Sequence, residues 1–253
     1  MKKAPVFLLV LAALLVCAVP RASADFGMTM TMTMNAGGVA INSEMQTRIK
    51  ATKMRADLKM MQQDMSVLFD AGSKQVLMIN HATKEISSAD PKAIAGNLPI
   101  AFGDAAVSMK PTGATKELLG RVCQGYAIEM TVPMTVNTDT ITMRLAGTIW
   151  IADKGAGVEE YKAASRAAAE SGFSTAFMAQ GTTMKGMVEL QKAMAEAGIP
   201  MSQEFSMSLE GTGQAAAMMA QMGNMVMTMT VTSLSTDPVA DDVFAEPAGY
   251  TKK

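Results

Sequence analysis

Histidine is almost missing: His81 is the only one in 253 residues, and two cysteines accompany it. That stock cannot furnish the ligand set of a zinc framework or the partners of most nucleophilic triads. Neither sign of charge dominates, with 22 Lys and Arg against 23 Asp and Glu, so there is no basic field for broad nucleic-acid binding. No Gly-x-Ser-x-Gly elbow occurs, and no lysine follows Gly155-Ala156-Gly157 at phosphate-loop spacing. These absences point away from catalysis and from cofactors.

Long apolar runs are scarce too. One extends from Val6 to Val19, behind Lys2 and Lys3 and ahead of Ala22-Ser23-Ala24. A positive start, a short apolar stretch and an A-x-A site make an export signal cleaved after Ala24. The run is shorter than a bilayer-spanning helix and no second one follows. The expectation is a discarded leader, residues 1–24, and a single domain, residues 25–253, in the bacterial periplasm or secreted, with no transmembrane span. Val16 is too large for the residue before a lipidated cysteine, so Cys17 leaves with the leader. Cys123 is then alone, cannot form an intrachain disulfide, and reads as a small core residue.

Methionine is what the chain has in excess, 27 residues. Met28-Thr29-Met30-Thr31-Met32-Thr33-Met34 alternates with period two, which as a strand puts every Met on one face and every Thr on the other. Asn35-Ala36-Gly37-Gly38 turns the chain, and Val39 to Lys50 returns as a second strand. Thr52 to Met60 sets Met54, Ala56, Leu58 and Met60 against Lys53, Arg55, Asp57 and Lys59, the pattern of an antiparallel sheet wetted on one face. Further strands are expected at Ser66–Phe69, Gln75–Ile79, Lys84–Ser87, Arg121–Val132 and Thr140–Ile151, with Asp90–Gly103 as an irregular linker. Trp150 reads as a packing anchor beneath another element.

The period then changes. Val158 to Ser171, rich in Ala, Glu, Lys and Arg, predicts a helix, and a second runs from about Phe173 to Ala197, stopped by Gly198 and Pro200. Both are expected across the apolar face of the sheet. Strand pattern returns at Met201–Leu209; Gly211–Gly223 reads as a short helix or flap. Met225-Val226-Met227-Thr228-Met229-Thr230 repeats the opening alternation, which places the first and last long strands in one apolar surface. Asp237-Pro238 ends the sheet, and Val243-Phe244 tucks the tail against the core.

Three blocks resemble a known family. Thr112-Gly113-Ala114-Thr115-Lys116-Glu117-Leu118-Leu119-Gly120 runs into Cys123-Gln124-Gly125-Tyr126. Gly147-Thr148-Ile149-Trp150-Ile151-Ala152 is followed by Glu159-Glu160-Tyr161. Val243-Phe244-Ala245-Glu246-Pro247-Ala248-Gly249-Tyr250 closes the chain. The set resembles DUF4412, a family of exported bacterial proteins similar in architecture to the lipoprotein carriers LolA and LolB. The resemblance implies an open, strongly curved antiparallel sheet, a half-barrel with helices over its concave side. It implies no reaction and assigns no site residue. With the periodicity, the expected fold class is α+β, mainly β.

Residues that could do chemistry read structurally. His81 sits in a turn, Glu159-Glu160 opens a helix at the positive end of its dipole, and Asp241-Asp242 is a solvated or capping pair. Two binding roles use methionine. In one, flexible thioethers line an adaptable apolar cavity for an acyl chain or another hydrophobic small molecule. Its candidates are Met28, Met30, Met32, Met34, Met143, Phe205, Met207, Met225, Met227 and Met229. In the other, soft sulfurs bind Cu(I), with Met30, Met32, Met227 and Met229 as ligands. Sulfurs on one strand stand roughly 6.5–7 Å apart, so a neighbouring strand must help. A third role is an inert Met-rich core in a structural module with an envelope protein partner. The favoured expectation is non-catalytic binding of a hydrophobic ligand, without a cofactor.

Overall fold

The computed structural model describes residues 25–60, 63–73, 75–88, 100–136, 139–171, 185–213, 217 and 224–253. The expected leader therefore lies outside the described residues, as do Phe173–Met184 of the second expected helix and most of Gly211–Gly223. The opening alternation forms β1, Phe26–Ala36. Its threonines supply the β-branched stiffness that methionine lacks. Gly37 and Gly38 turn the chain at φ of 56° and 81°, a backbone that residues with a Cβ rarely adopt and tight hairpins require. Four strands then follow as a meander: β2 (Val39–Lys50), β3 (Lys53–Met60), β4 (Gln63–Asp70) and β5 (Gln75–Asn80), extended by β6 (Glu85–Ser88).

The second half begins with β7, Ile100–Phe102, inside the stretch expected to be linker, and β8, Ala106–Leu118, which the sequence pattern does not disclose. The reason is visible in β8 itself. Its residues are mostly exposed, Pro111 removes a backbone donor, and the register breaks between Pro111 and Thr115. An edge strand with a bulge tolerates all three, and none produces alternation. The long hairpin of β9 (Arg121–Val136) and β10 (Asp139–Ala152) follows. Two helices come next, α1 (Val158–Ser171) and α2 (Lys185–Ala197), then β11 (Ile199–Gly211) and β12 (Met225–Ser235).

The strands form one open sheet in the order β6-β5-β4-β3-β2-β1-β12-β11-β10-β9-β7, with β8 also on β9. Every one of these pairs is antiparallel. The first and last long strands are direct neighbours, joining the two meanders at the centre. Asp237-Pro238 does not end the sheet: beyond a 3-10 turn at Asp241–Phe244, the tail adds β13, Thr251–Lys252, parallel to β6.

The helices cover one face of this curved sheet. Val158 and Ala168 of α1 are buried with Phe26, Met28, Met30 and Met201, while Met187 and Leu190 of α2 are buried with Ile128, Met130 and Phe205. Gly147 matters to this packing, because a Cβ there would stand 2.7 Å from the Phe205 ring and would run into the backbone carbonyl of Glu204. Glu159 and Glu160 lie in the first turn of α1, where acids favour the dipole. The fold is α+β, mainly β: one open, curved antiparallel sheet with two helices packed on one face.

Candidate functional site

Register decides which side chains share a face. Reading across the sheet, Ser43, Met32, Met229, Gln203 and Ile149 form one row. The next row is Ile41, Met34, Met227, Phe205 and Gly147. A third pairs Met225 with Met207 and Met207 with Leu145. Directly opposed residues project to the same side, so these rows belong to the helix-facing surface. All strand methionines whose side chains are described fall on it.

That surface is covered unevenly. Met28 and Met30 are each only 5% exposed and Phe205 is buried, all packed beneath the helices. Met32, Met34, Met143, Met207, Met225, Met227 and Met229 are half-buried. The ten expected cavity residues therefore divide into three in the closed core and seven along an open apolar wall. Met45, opposite Met30 on β2 and also half-buried, belongs with the wall; its alternation with Ile41 and Ile49 was the signal for it. The register divides the expected thioether set, Met30, Met32, Met227 and Met229. Met30 lies under the helices and faces Val231 across the strands, whereas Met34 faces Met227. The quartet that the register assembles is Met32, Met34, Met227 and Met229.

Two polar residues interrupt the wall. Ser43 and Gln203 are buried, and the Ser43 hydroxyl has no hydrogen-bond partner among the described residues. Neither departs from a simple alternating pattern strongly enough to be noticed in the sequence.

The opposite face is polar and carries its own cluster. Asp57 Oδ1 accepts from Ser66 Oγ at 2.5 Å and from Arg55 Nε at 2.7 Å, and Asp57 Oδ2 accepts from Arg48 at 2.7 Å. Ser66 Oγ also meets Arg55 Nη2 at 3.0 Å and His81 Nε2 at 2.6 Å. The hydroxyl has one proton, which goes to the carboxylate, so His81 donates through Nε2 and accepts from Tyr250 at Nδ1, 2.9 Å away. Burial pushes the Asp57 carboxyl up, but the hydrogen bonds from Ser66 and Arg55 and the charges of Arg55 and Arg48 outweigh it and hold it below the ordinary carboxylate value.

The Asp57, Ser66 and His81 trio has an order unlike that of a nucleophilic triad. The carboxylate touches the serine rather than the histidine, and Ser66 is 0% exposed. Cys123 is equally closed off; burial raises its thiol, with partial opposition from Arg121 and Lys116. Trp150 lies under Lys116, whose Nζ is 5.8 Å from the ring, in keeping with an anchor covered by β8.

The tail straps this polar face. Lys50 bonds the Val239 carbonyl and pairs with Asp241, and Arg55 bonds the Val243 carbonyl. Between the strap and the sheet lies a cleft of about 350 Å³ at Thr29, Arg48, Ser233, Pro238 and Val243. A shallower one of about 600 Å³ is lined by Thr31, Met32, Thr33, Asn42, Ser43, Glu44 and Lys59.

Among the described residues, no group of three or more His, Cys, Asp or Glu is placed to hold a metal ion. No helix there is long and apolar enough to cross a membrane. The family model described as "Domain of unknown function (DUF4412)" matches residues 26–207, from β1 through most of β11. The chain belongs to the DUF4412 family. The second Met/Thr run, on β12, lies beyond the stretch that matches DUF4412.

Comparison with curated proteins gives no match. Among solved structures, this DUF4412 chain is similar to PNGF-II at 12% identity and a TM-score of 0.35, over 91% of this chain and 32% of that one. It thus spans about a third of PNGF-II. A DUF1329 family protein from Desulfovibrio piger is 9% identical with a TM-score of 0.32, over 96% of this chain and 98% of its own. A LolA superfamily protein from Nitrosomonas europaea is 6% identical with a TM-score of 0.31, over 88% and 90%.

Proposed function

We propose that this protein binds a hydrophobic or lipid-like molecule in the bacterial envelope, without chemical transformation, along the half-buried methionine wall. The observation that carries this reading is the continuity of the wall. Met34 with Met227, Met32 with Met229, and Met225 with Met207 are cross-strand neighbours at the sheet centre, none of them fully covered. A closed core has no use for a row of flexible side chains left half in water. A ligand site does, because each methylene of an acyl chain withdrawn onto such a surface contributes about 0.8 kcal/mol. Unbranched thioethers repack around chains of different shape. The export-type leader, residues 1–24, would deliver residues 25–253 as one ligand-holding unit to the compartment where acyl chains need an apolar surface in transit.

Native mass spectrometry of the protein purified gently from its own envelope tests the proposal. A population heavier by the mass of a lipid or acyl species is expected, and replacing Met32, Met227 and Met229 with Asp should abolish it. Recovery of bare polypeptide alone would overturn the reading.

A further inference from the structure

We propose that Met32, Met34, Met227 and Met229 form a thioether site for a soft monovalent ion, Cu(I) or its analogue Ag(I). The placement comes from the register of β1 against β12, where Met32 stands opposite Met229 and Met34 opposite Met227. Directly opposed Cβ atoms in an antiparallel pair are about 4.5–5.5 Å apart, and alternate residues along a strand roughly 6.5–7 Å apart. The four Cβ atoms thus outline a quadrilateral with a diagonal of about 8 Å. Each sulfur has about 4 Å to cover from its Cβ to the centre, which the two bonds from Cβ to Sδ and one metal–sulfur bond can span.

Chemistry selects the ion. Thioethers are neutral, soft donors that favour Cu(I) over Zn(II) or Cu(II). The described residues offer no His, Cys, Asp or Glu cluster that would draw a harder ion elsewhere. All four side chains are half-buried, so an ion can reach them and still be shielded from water on the sheet side. The polar breaks in the wall fall on the same row: Ser43 is paired with Met32 and Gln203 with Met229. The Ser43 hydroxyl is buried without a hydrogen-bond partner among the described residues. An acyl chain gives that hydroxyl nothing to meet, whereas a cation on the same row gives its oxygen lone pairs a positive charge to face. The site does not rest on the wall's binding lipid, since it requires only four sulfurs and an ion.

Anaerobic titration of the full mature chain, delipidated, against a chromophoric Cu(I) chelator tests it. One equivalent of Cu(I) should be withdrawn, while Cu(II) and Zn(II) should not be. Because methionine has no proton to displace, uptake should be the same in mildly acid and mildly alkaline buffer. The combined substitution Met32→Leu, Met34→Leu, Met227→Leu, Met229→Leu should remove uptake, and Met78→Leu, on β5 away from the quartet, should retain it. Methyl-labelled methionine followed by NMR during Ag(I) titration supplies a readout in the unaltered protein, with shifts concentrated on these four resonances. No uptake, equal uptake of Zn(II), or shifts centred on other methionines would overturn the site. Lipid adducts on protein taken from its own envelope, with no Cu(I) uptake after delipidation, would overturn the metal site and leave the lipid reading standing; Cu(I) uptake by protein recovered from the envelope as bare polypeptide would do the reverse.

Discussion

At Ser66 a single hydroxyl proton fixes the direction of a chain of hydrogen bonds from Tyr250 through His81 to Asp57. Arg55 and Arg48 close the circuit on the same carboxylate. The folded Asp57 carboxyl is held below the ordinary carboxylate value by Ser66, Arg55 and Arg48. A depressed acid contributes stability that is complete above its unfolded value and is lost as pH falls through its folded value. Acid unfolding followed by circular dichroism should therefore show a stability loss setting in below about pH 4 that is smaller in Asp57→Asn. At neutral pH that substitution should cost about 1–2 kcal/mol, a modest figure for charged hydrogen bonds because the site keeps some solvent. Identical acid limbs for the two proteins would count against this assignment. Asp57 was readable in the sequence as a wet-face residue, by its alternation with Leu58 and Ala56. Its partners were not, because Ser66, His81 and Tyr250 are brought to it by two hairpins and a tail.

Elements differ in how they are held. The central strands are bonded on both sides and roofed by helices, whereas β4, β5 and β6 depend on the tail. Leu68, Ile79 and Ile86 are buried on the polar face in a small cluster that includes Tyr250. Lys50, Arg55 and β13 clamp the tail over them. A chain ending at Thr236 should expose that cluster and lose both the His81–Tyr250 bond and the β13–β6 pairing. Hydrogen exchange should then accelerate in β4 to β6 and remain slow in β9 and β10. Uniform acceleration across the sheet would show that the strap stabilises the whole fold instead. The closing block around Tyr250 is thus explained as the residues that cover a second, smaller apolar layer. Its sequence shows a turn-rich tail, and only the pairing with β6 makes it part of the sheet.

At the scale of the molecule, and among the described residues, the helices seal one end of the helix-facing surface and leave the side chains at the other end half-exposed. Met28, Met30 and Met201 lie beneath the helices, while Met32, Met34, Met225, Met227 and Met229 stand half out of them. Solvent access controls how fast a thioether is oxidised to its sulfoxide. Mild peroxide followed by peptide mapping should convert the second group well before the first, and a bound apolar ligand or Ag(I) should slow that group selectively. Equal rates for Met30 and Met32, neighbours on one face of β1, would contradict the asymmetry. The same open end is where both proposed occupants would enter.

The period-two spacing of methionine and threonine determined by itself that β1 and β12 are strands with one oily side. The period is a local property, set by how successive side chains leave an extended backbone. The switch to Ala-rich, 3.6-residue patterning likewise determined α1 and the described part of α2. Tertiary structure alone decided which methionines meet. Whether Met32 faces Met229 or Thr230 depends on a one-residue bulge at Thr29 and Met30 in the β1–β12 pairing, and a shift of that kind leaves the alternating sequence of each strand unchanged. Tertiary structure also decided that some sulfurs are sealed and others accessible, because helix coverage is a long-range contact that no strand encodes on its own.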